Sequence, residues 1–312
     1  MAATKGFNPA KDIPSLAGKV VLVTGGNAGL GKQTIAYLAQ HSPARIYLAA
    51  RTASKAASAI AEIKTATPSA VIEHLPLDLS DFASIAAAAS TFTTREQRLD
   101  ILVNNAGIMA TPYSLTKQGH EIQFGTNHVG HALLTKLLLP TLQHTAAQPG
   151  ADVRIVNVTS AALYMAPSGG IIWDQPALEQ HATWRRYGQS KLANVLFARE
   201  CARRYPAITS VSIHPGVIFT DLYTSVKQNA LMKLAVSGYT YLAPYLPGHY
   251  KDTIEGALNQ TWAATAPKDA LKNGEYYVPV GKGGGGSAVS KDMELAKKLW
   301  EWTEEELKKH GY

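Results

Sequence analysis

The sequence has one cysteine, Cys201, in 312 residues. No internal disulfide can form, and a reducing compartment is expected. No charged leader followed by an apolar core opens the chain, so the expected location is cytoplasmic. Long hydrophobic runs are also missing. The best, "ALMKLAVSGYTYLAPYLPG", is interrupted by Lys233, Gly238, Pro244 and Pro247, which argues against a transmembrane segment and leaves peripheral contact with a membrane as the alternative. There is no block of lysine and arginine. The formal net charge of +7 is scattered and no stacking aromatic motif accompanies it, so no nucleic-acid partner is expected and the field is read as favouring small anions. His128 and His131 have no third ligand at suitable spacing; they are read as packing residues, and no metal is expected.

What is present is an alternation. Short β-branched runs, "KVVLVTG", "RIYLAA", "AVIEHLPLD", "DILVNNAG", "RIVNVTS", "TSVSIHPG" and "EYYVPV", are separated by amphipathic stretches such as "GKQTIAYLAQ", "SKAASAIAEIK" and "HALLTKLLLPTL". Continuous apolar strands between helices predict an α/β fold, a doubly wound parallel sheet of about seven strands of the Rossmann type. No repeat or composition break divides the chain, so a single domain over 1–312 is expected, with a surface arm over 1–17. "GKGGGGS" lacks the Gly-Lys-Ser/Thr ending of a phosphate loop. It reads as a flexible connector, the start of a segment 281–312 that ends in a C-terminal helix.

Between the first strand and the first helix, "VVLVTGGNAGLGKQTIA" places Gly25, Gly29 and Gly31. Glycine lets the backbone turn sharply and approach a diphosphate, whose charge then faces the N–H groups of the helix start. The second strand ends in Arg51, where an NAD site usually carries a carboxylate. A guanidinium there suits an adenosine 2′-phosphate, Lys55 can add charge, and NADP(H) is the expected cofactor. At the third strand's end, Asp78 and the Leu79 backbone either meet the adenine edge, or Asp78 caps the next helix. Asn104 to Gly107, "NNAG", offer a tight backbone passage at the end of the fourth strand.

Together "TGGNAGLG", "NNAG", "NHVGH", "VNVTS", "YGQSK" and "HPG" resemble the short-chain dehydrogenase/reductase superfamily, its retinol dehydrogenase-like branch in particular, over about Lys19 to Gly281. The resemblance implies an oxidoreductase acting on carbonyl or alcohol groups. Carried over by position, it implies a catalytic set of Asn127, Ser160, Tyr187 and Lys191. It also implies cofactor contacts from Thr24, Gly25, Asn27, Gly29, Leu30, Gly31, Asn105, Ala106, Gly107, Pro215, Gly216, Val217, Ile218 and Thr220. Asn127 would hold a water that relays protons, Lys191 the nicotinamide ribose, and helices containing Asn127 and Tyr187 would build a homo-oligomer.

The Tyr187–Lys191 pair has a physical reason of its own. Residues four apart share a helix face, and an ammonium near a phenol of pKa about 10 favours the phenolate, turning a poor base into a usable one. Ser160 ends the fifth strand, so its hydroxyl would emerge at the carboxyl edge of the sheet, with Thr159 facing the other way. After "HPG", the apolar and aromatic segment 221–249 reads as a lid over a small, hydrophobic carbonyl or alcohol substrate, with "ALYMAPSGGIIW" as the opposite wall. A catalytically silent NADP-binding regulator or scaffold would lose Ser, Tyr or Lys from the set, and none is lost. A hydrolase would need glycine where Leu192 stands.

Overall fold

Runs rich in valine, isoleucine and leucine form strands here because both faces of the sheet are covered. The computed structural model describes residues 6–216 and 252–312. The strands are β1 (Val20–Thr24), β2 (Arg45–Ala50), β3 (Ile72–Pro76), β4 (Ile101–Asn104), β5 (Arg154–Val158), β6 (Thr209–Ile213) and β7 (Tyr276–Tyr277). They form one seven-stranded sheet in the order β3-β2-β1-β4-β5-β6-β7. Every neighbouring pair is parallel. This is the expected Rossmann-type sheet, with all seven runs in it.

The main helices are α1 (Gly29–Ala39), α2 (Ala53–Ala66), α3 (Phe82–Arg95), α4 (Gly130–Ala146), α5 (Thr183–Arg204), α6 (Leu258–Thr265) and α7 (Met293–Lys309). Alternation along the strands sorts the core into two layers. Val21, Val23, Ile46, Leu48 and Val103 pack with residues of α1, α2 and α6. Leu22, Tyr47, Leu102 and Ile155 pack with α3, α4, α5 and α7 on the other face. Among the described residues, no helix is long and apolar enough to cross a membrane.

Two expectations change. The described part of the arm, 6–17, is pinned down: after the helical turn Pro9–Asp12, Ile13 and Leu16 are buried, and the Leu16 N–H donates to the His41 carbonyl at 2.8 Å. Residues 281–287, expected as a flexible connector, fold back. Val278 and Lys282 form an antiparallel bridge, and Lys291 Nζ donates to the Gly284 carbonyl at 3.1 Å.

Asp292 caps α7, and the buried stripe Ala296, Leu299, Thr303 and Leu307 has helical spacing. α7 lies along α5 and stacks Trp300 on Phe197 with ring centroids 5.3 Å apart. It also pairs Glu304 with Lys136 of α4 at 2.6 Å. The side of α4 and α5 that α7 covers is therefore filled from within the chain, and a second copy approaching there meets α7 first.

Candidate active site

β1 pairs with β2 on one side and β4 on the other, so the chain leaves the carboxyl ends of β1 and β4 in opposite directions and opens a crevice between them. The glycine turn forms one wall. Gly25 has φ of +66°, and a Cβ on Gly31 would lie 2.4 Å from the Gly25 carbonyl oxygen and 2.6 Å from Asn105 Nδ2, so only glycine fits. The turn is joined to "NNAG". Thr24 Oγ1 accepts from the N–H groups of Asn105 and Ala106, each at 2.9 Å, and Asn105 Nδ2 donates to the Thr24 carbonyl at 2.8 Å.

Ala28 at the N-cap gives no side-chain acceptor to the first N–H groups of α1, which suits an anionic ligand. Beside it runs an open groove of about 430 Å³, lined among others by Asn27, Gly29, Lys32, Ser54 and Lys55. Leu30 lies in the first turn of α1, its carbonyl accepting from Thr34 Oγ1 at 2.8 Å. Arg51, exposed at the end of β2, sits 3.9 Å from Asp78. A glycine turn, an uncapped helix start and basic side chains beside it fit the diphosphate and phosphate groups of a dinucleotide.

Of the two readings of Asp78, the helix cap is not realised. Asp81 caps α3, accepting from the Ala83 N–H at 3.1 Å. Asp78 Oδ1 accepts instead from the N–H and hydroxyl of Ser80, at 2.9 and 2.6 Å. Leu79 is buried. At the end of β6, Pro215 is buried and Gly216 takes φ of +98°. Val217, Ile218 and Thr220, with the segment 221–249, lie outside the described residues.

On the other side of the crevice, Thr159 is buried and its hydroxyl donates to the Lys191 carbonyl at 2.6 Å, which leaves Ser160 facing the edge. Ser160 Oγ accepts from the Ala162 N–H at 3.1 Å and caps the 3-10 turn Ala161–Met165. It acts as a cap and still keeps its hydroxyl hydrogen for another acceptor. Tyr187 and Lys191 are both buried in α5, with Nζ 5.7 Å from the phenol ring centroid. Lys191 Nζ donates to the Val158 carbonyl at 3.1 Å. Burial pushes its ammonium down to about 8.

Asn127 lies in a π-helical turn, Gly125–Val129, just ahead of α4. Its amide is fully engaged: Oδ1 accepts from the Ile108 N–H at 2.9 Å, and Nδ2 donates to the Ile108 carbonyl and to Ser190 Oγ, each at 3.0 Å. Asn127 Oδ1 and Lys191 Nζ converge on Gly107, 3.2 and 3.4 Å from where a Cβ there would stand. Both neighbouring histidines are buried and held neutral. Burial pushes His128 down to about 3 and His131 to about 4. Among the described residues, no group of three or more His, Cys, Asp or Glu could hold a metal ion.

Several residues that support the site had no assigned role in the sequence. Arg186, next to Tyr187, forms a buried ion pair with Glu121 at 3.1 Å. Its guanidinium also donates to the carbonyls of His181 and Thr111. Glu121 in turn accepts from the N–H groups of Gln123 and Phe124 at 3.0 and 2.8 Å. Gln123 joins the Ala110 N–H at 2.9 Å to Thr183 at the start of α5. The segment after "NNAG" is thus clipped to the Tyr187 helix twice.

Gly188 is the contact point between α5 and the Ser160 turn. A Cβ there would lie 2.6 Å from the Ala162 carbonyl oxygen and 2.8 Å from Ala166 N, both backbone atoms. Gly188→Ala is therefore expected to push the Ser160 turn off Tyr187 and to cost about 1–3 kcal/mol by overpacking. Urea denaturation would measure it, and an unchanged midpoint would show that α5 and the turn are not in this contact.

The family model for short chain dehydrogenase matches residues 19–231. The chain is 43% identical over 310 residues to the short-chain dehydrogenase/reductase drtF of Aspergillus calidoustus, covering 95% of this chain and 96% of that protein. It is 38% identical over 288 residues to human retinol dehydrogenase 12, covering 91% and 85%. Among solved structures, the Pseudomonas aeruginosa RhlG/NADP active-site complex superposes with a TM-score of 0.64 at 25% identity, covering 86% of this chain and 96% of that one. The chain belongs to the short-chain dehydrogenase/reductase superfamily, in its retinol dehydrogenase-like branch, and is an oxidoreductase.

Proposed function

We propose that this short-chain dehydrogenase/reductase uses NADP(H) to interconvert a small hydrophobic ketone or aldehyde and the corresponding alcohol. The observation that carries the reading is the buried Lys191 ammonium, one helical turn from Tyr187 and 5.7 Å from its ring centroid, beside Gly107. When bound, the nicotinamide supplies or accepts the hydride. Thr24, Gly25, Asn27, Gly29, Leu30 and Gly31 would hold the diphosphate, Asp78 and Leu79 the adenine, Asn105 to Gly107 the nicotinamide end, and Lys191 the ribose hydroxyls there.

The chain's own residues handle the proton. Ser160 and Tyr187 donate hydrogen bonds to the substrate oxygen and stabilise the charge that builds there in reduction. Tyr187 then gives up its proton, and the Lys191 ammonium stabilises the phenolate left behind. In oxidation Tyr187 accepts the proton instead. Asn127 ties the segment at Ile108 to α5 through Ser190, which keeps the proton path in register with Lys191. Met109, Ala110, Ala162 and Trp184 gather around Tyr187, and the nearby Tyr164 and Met165 are large and exposed. These surroundings support an apolar substrate.

Arg51 supports NADP(H) over NAD(H). A carboxylate at this strand end would accept from ribose hydroxyls, whereas a guanidinium pairs with the 2′-phosphate. Arg51→Ala is expected to weaken NADPH binding about 10- to 100-fold, the worth of a charge-assisted bond, and to leave NADH binding unchanged. Fluorescence titration of both cofactors measures this; equal weakening of the two would remove Arg51 from the phosphate. The reading as a whole is tested by following NADPH and NADH consumption with a panel of aldehydes and ketones. No turnover of any carbonyl, or equal use of the two cofactors, would overturn it.

A further inference from the structure

A buried polar path crosses the apolar junction between the glycine turn and the π-helical turn that carries Asn127. His131 stands in the middle of it, 2% exposed. Its Nδ1 lies 2.9 Å from the Asn127 main-chain oxygen, and its Nε2 lies 2.8 Å from Thr24 Oγ1. A carbonyl can only accept, so Nδ1 carries the hydrogen and Nε2 accepts from the Thr24 hydroxyl. The far end agrees with this direction. Thr24 Oγ1 already accepts from the Asn105 and Ala106 N–H groups, and of the two acceptors within reach of its own hydrogen the imidazole nitrogen at 2.8 Å is closer than the Val103 carbonyl at 3.4 Å.

Every group on the path has one consistent role. Burial, opposed by the bond to Asn127 and aided by Lys191, pushes the imidazole down to about 4, so protonation does not break the arrangement near neutral pH. The Asn127 side-chain amide is held by Ile108 and Ser190, and the main-chain carbonyl is the Asn127 group that meets His131. We propose that His131 is a positioning residue for proton transfer: donating from Nδ1, it fixes the Asn127 carbonyl and, through Thr24, locks it to the loop carrying Asn105 to Gly107. The inference rests on the reading of Asn127 as part of the proton path.

Two measurements on the full chain test it. The first is long-range proton–nitrogen correlation on histidine-labelled protein, expected to find His131 in the Nδ1–H tautomer without titration between about pH 5 and 8. An Nε2–H tautomer, or titration near the ordinary value of about 6.5, would overturn the proposal. This readout needs no substrate, so it separates failure of the inference from failure of the carbonyl reading.

The second compares His131→Asn, whose amide nitrogen replaces Nδ1, with His131→Gln, whose amide reaches only the Nε2 position. The Asn variant is expected to keep kcat within about 5-fold of wild type, and the Gln variant to lose about 100-fold, as misplacement of a proton path does. Cofactor and substrate KM should hardly move in either. Equal losses in the two variants, or none in both, would reduce His131 to packing and sink the proposal. Should the Gln variant fail to fold, the tautomer measurement still decides.

Discussion

Tyr187→Phe is expected to lower kcat for every accepted carbonyl by about 100- to 10,000-fold, the usual contribution of a positioned acid, while NADPH still binds. The substitution removes one oxygen from a buried ring that packs against Met109 and Trp184, and leaves that packing in place. Ser160 keeps its donor hydrogen and Lys191 its contact with the Val158 carbonyl, so on the proposed reading what is lost is the phenol proton alone. Steady-state rates with and without the hydroxyl decide the matter. Unchanged turnover in the variant, with NADPH binding intact, would move the acid elsewhere.

The same geometry sets a pH dependence. Lys191 has its ammonium pushed down to about 8 by burial, so the cation is largely present at neutral pH and is lost as pH rises through that value. On the proposed reading, reduction needs both the Tyr187 proton and the ammonium that stabilises the phenolate. Its rate should therefore fall on the alkaline side of about pH 8. Oxidation needs the phenolate and should be favoured as pH rises, until loss of the ammonium removes its support.

Much of this site was legible in the chain because its chemistry is local. The glycine turn, "NNAG" and the Tyr187–Lys191 spacing each lie within one strand end or one helix face, where periodicity and backbone constraint mark them. The strands were legible for the same reason: Val20 to Val23 are apolar on both faces, as a strand covered on both sides requires. The cap that Ser160 provides was not. A hydroxyl accepts and donates at once, so the Ala162 N–H that Ser160 caps leaves its hydrogen available to the substrate proposed for it.

The anchoring of α7 was hidden for another reason. Its stripe marks an amphipathic helix but says nothing of what it covers; the stacking of Trp300 on Phe197 and the pairing of Glu304 with Lys136 reveal the partners. His131 was read as packing because a neutral, buried histidine looks apolar in sequence. Its two bonded partners lie 4 and 107 residues away, and the second distance leaves no pattern.

Arg186→Met is expected to cost about 3–5 kcal/mol of stability, because it strands a buried charge and does not simply delete a contact. Glu121 is fully buried, and Arg186 is 5% exposed. Burial pushes the Glu121 carboxyl up, opposed by the N–H of Phe124, by Arg186 and by Gln123. Without the guanidinium, burial faces less opposition and the upward shift grows. The sign follows: a carboxyl whose folded pKa lies above its unfolded one loses stability at pH above both values and recovers it as pH falls through the folded value. The deficit of Arg186→Met should therefore be largest at neutral pH and shrink in acid. Urea unfolding across pH measures it, and a deficit independent of pH would mean that lost packing, not the stranded carboxylate, carries the cost. Adding Glu121→Gln removes the charge and leaves an oxygen for the Gln123 and Phe124 N–H groups, so the double variant should regain part of the loss. Because the pair clips the segment after "NNAG" to α5, catalysis should respond as well, with kcat falling before stability becomes limiting at assay temperature.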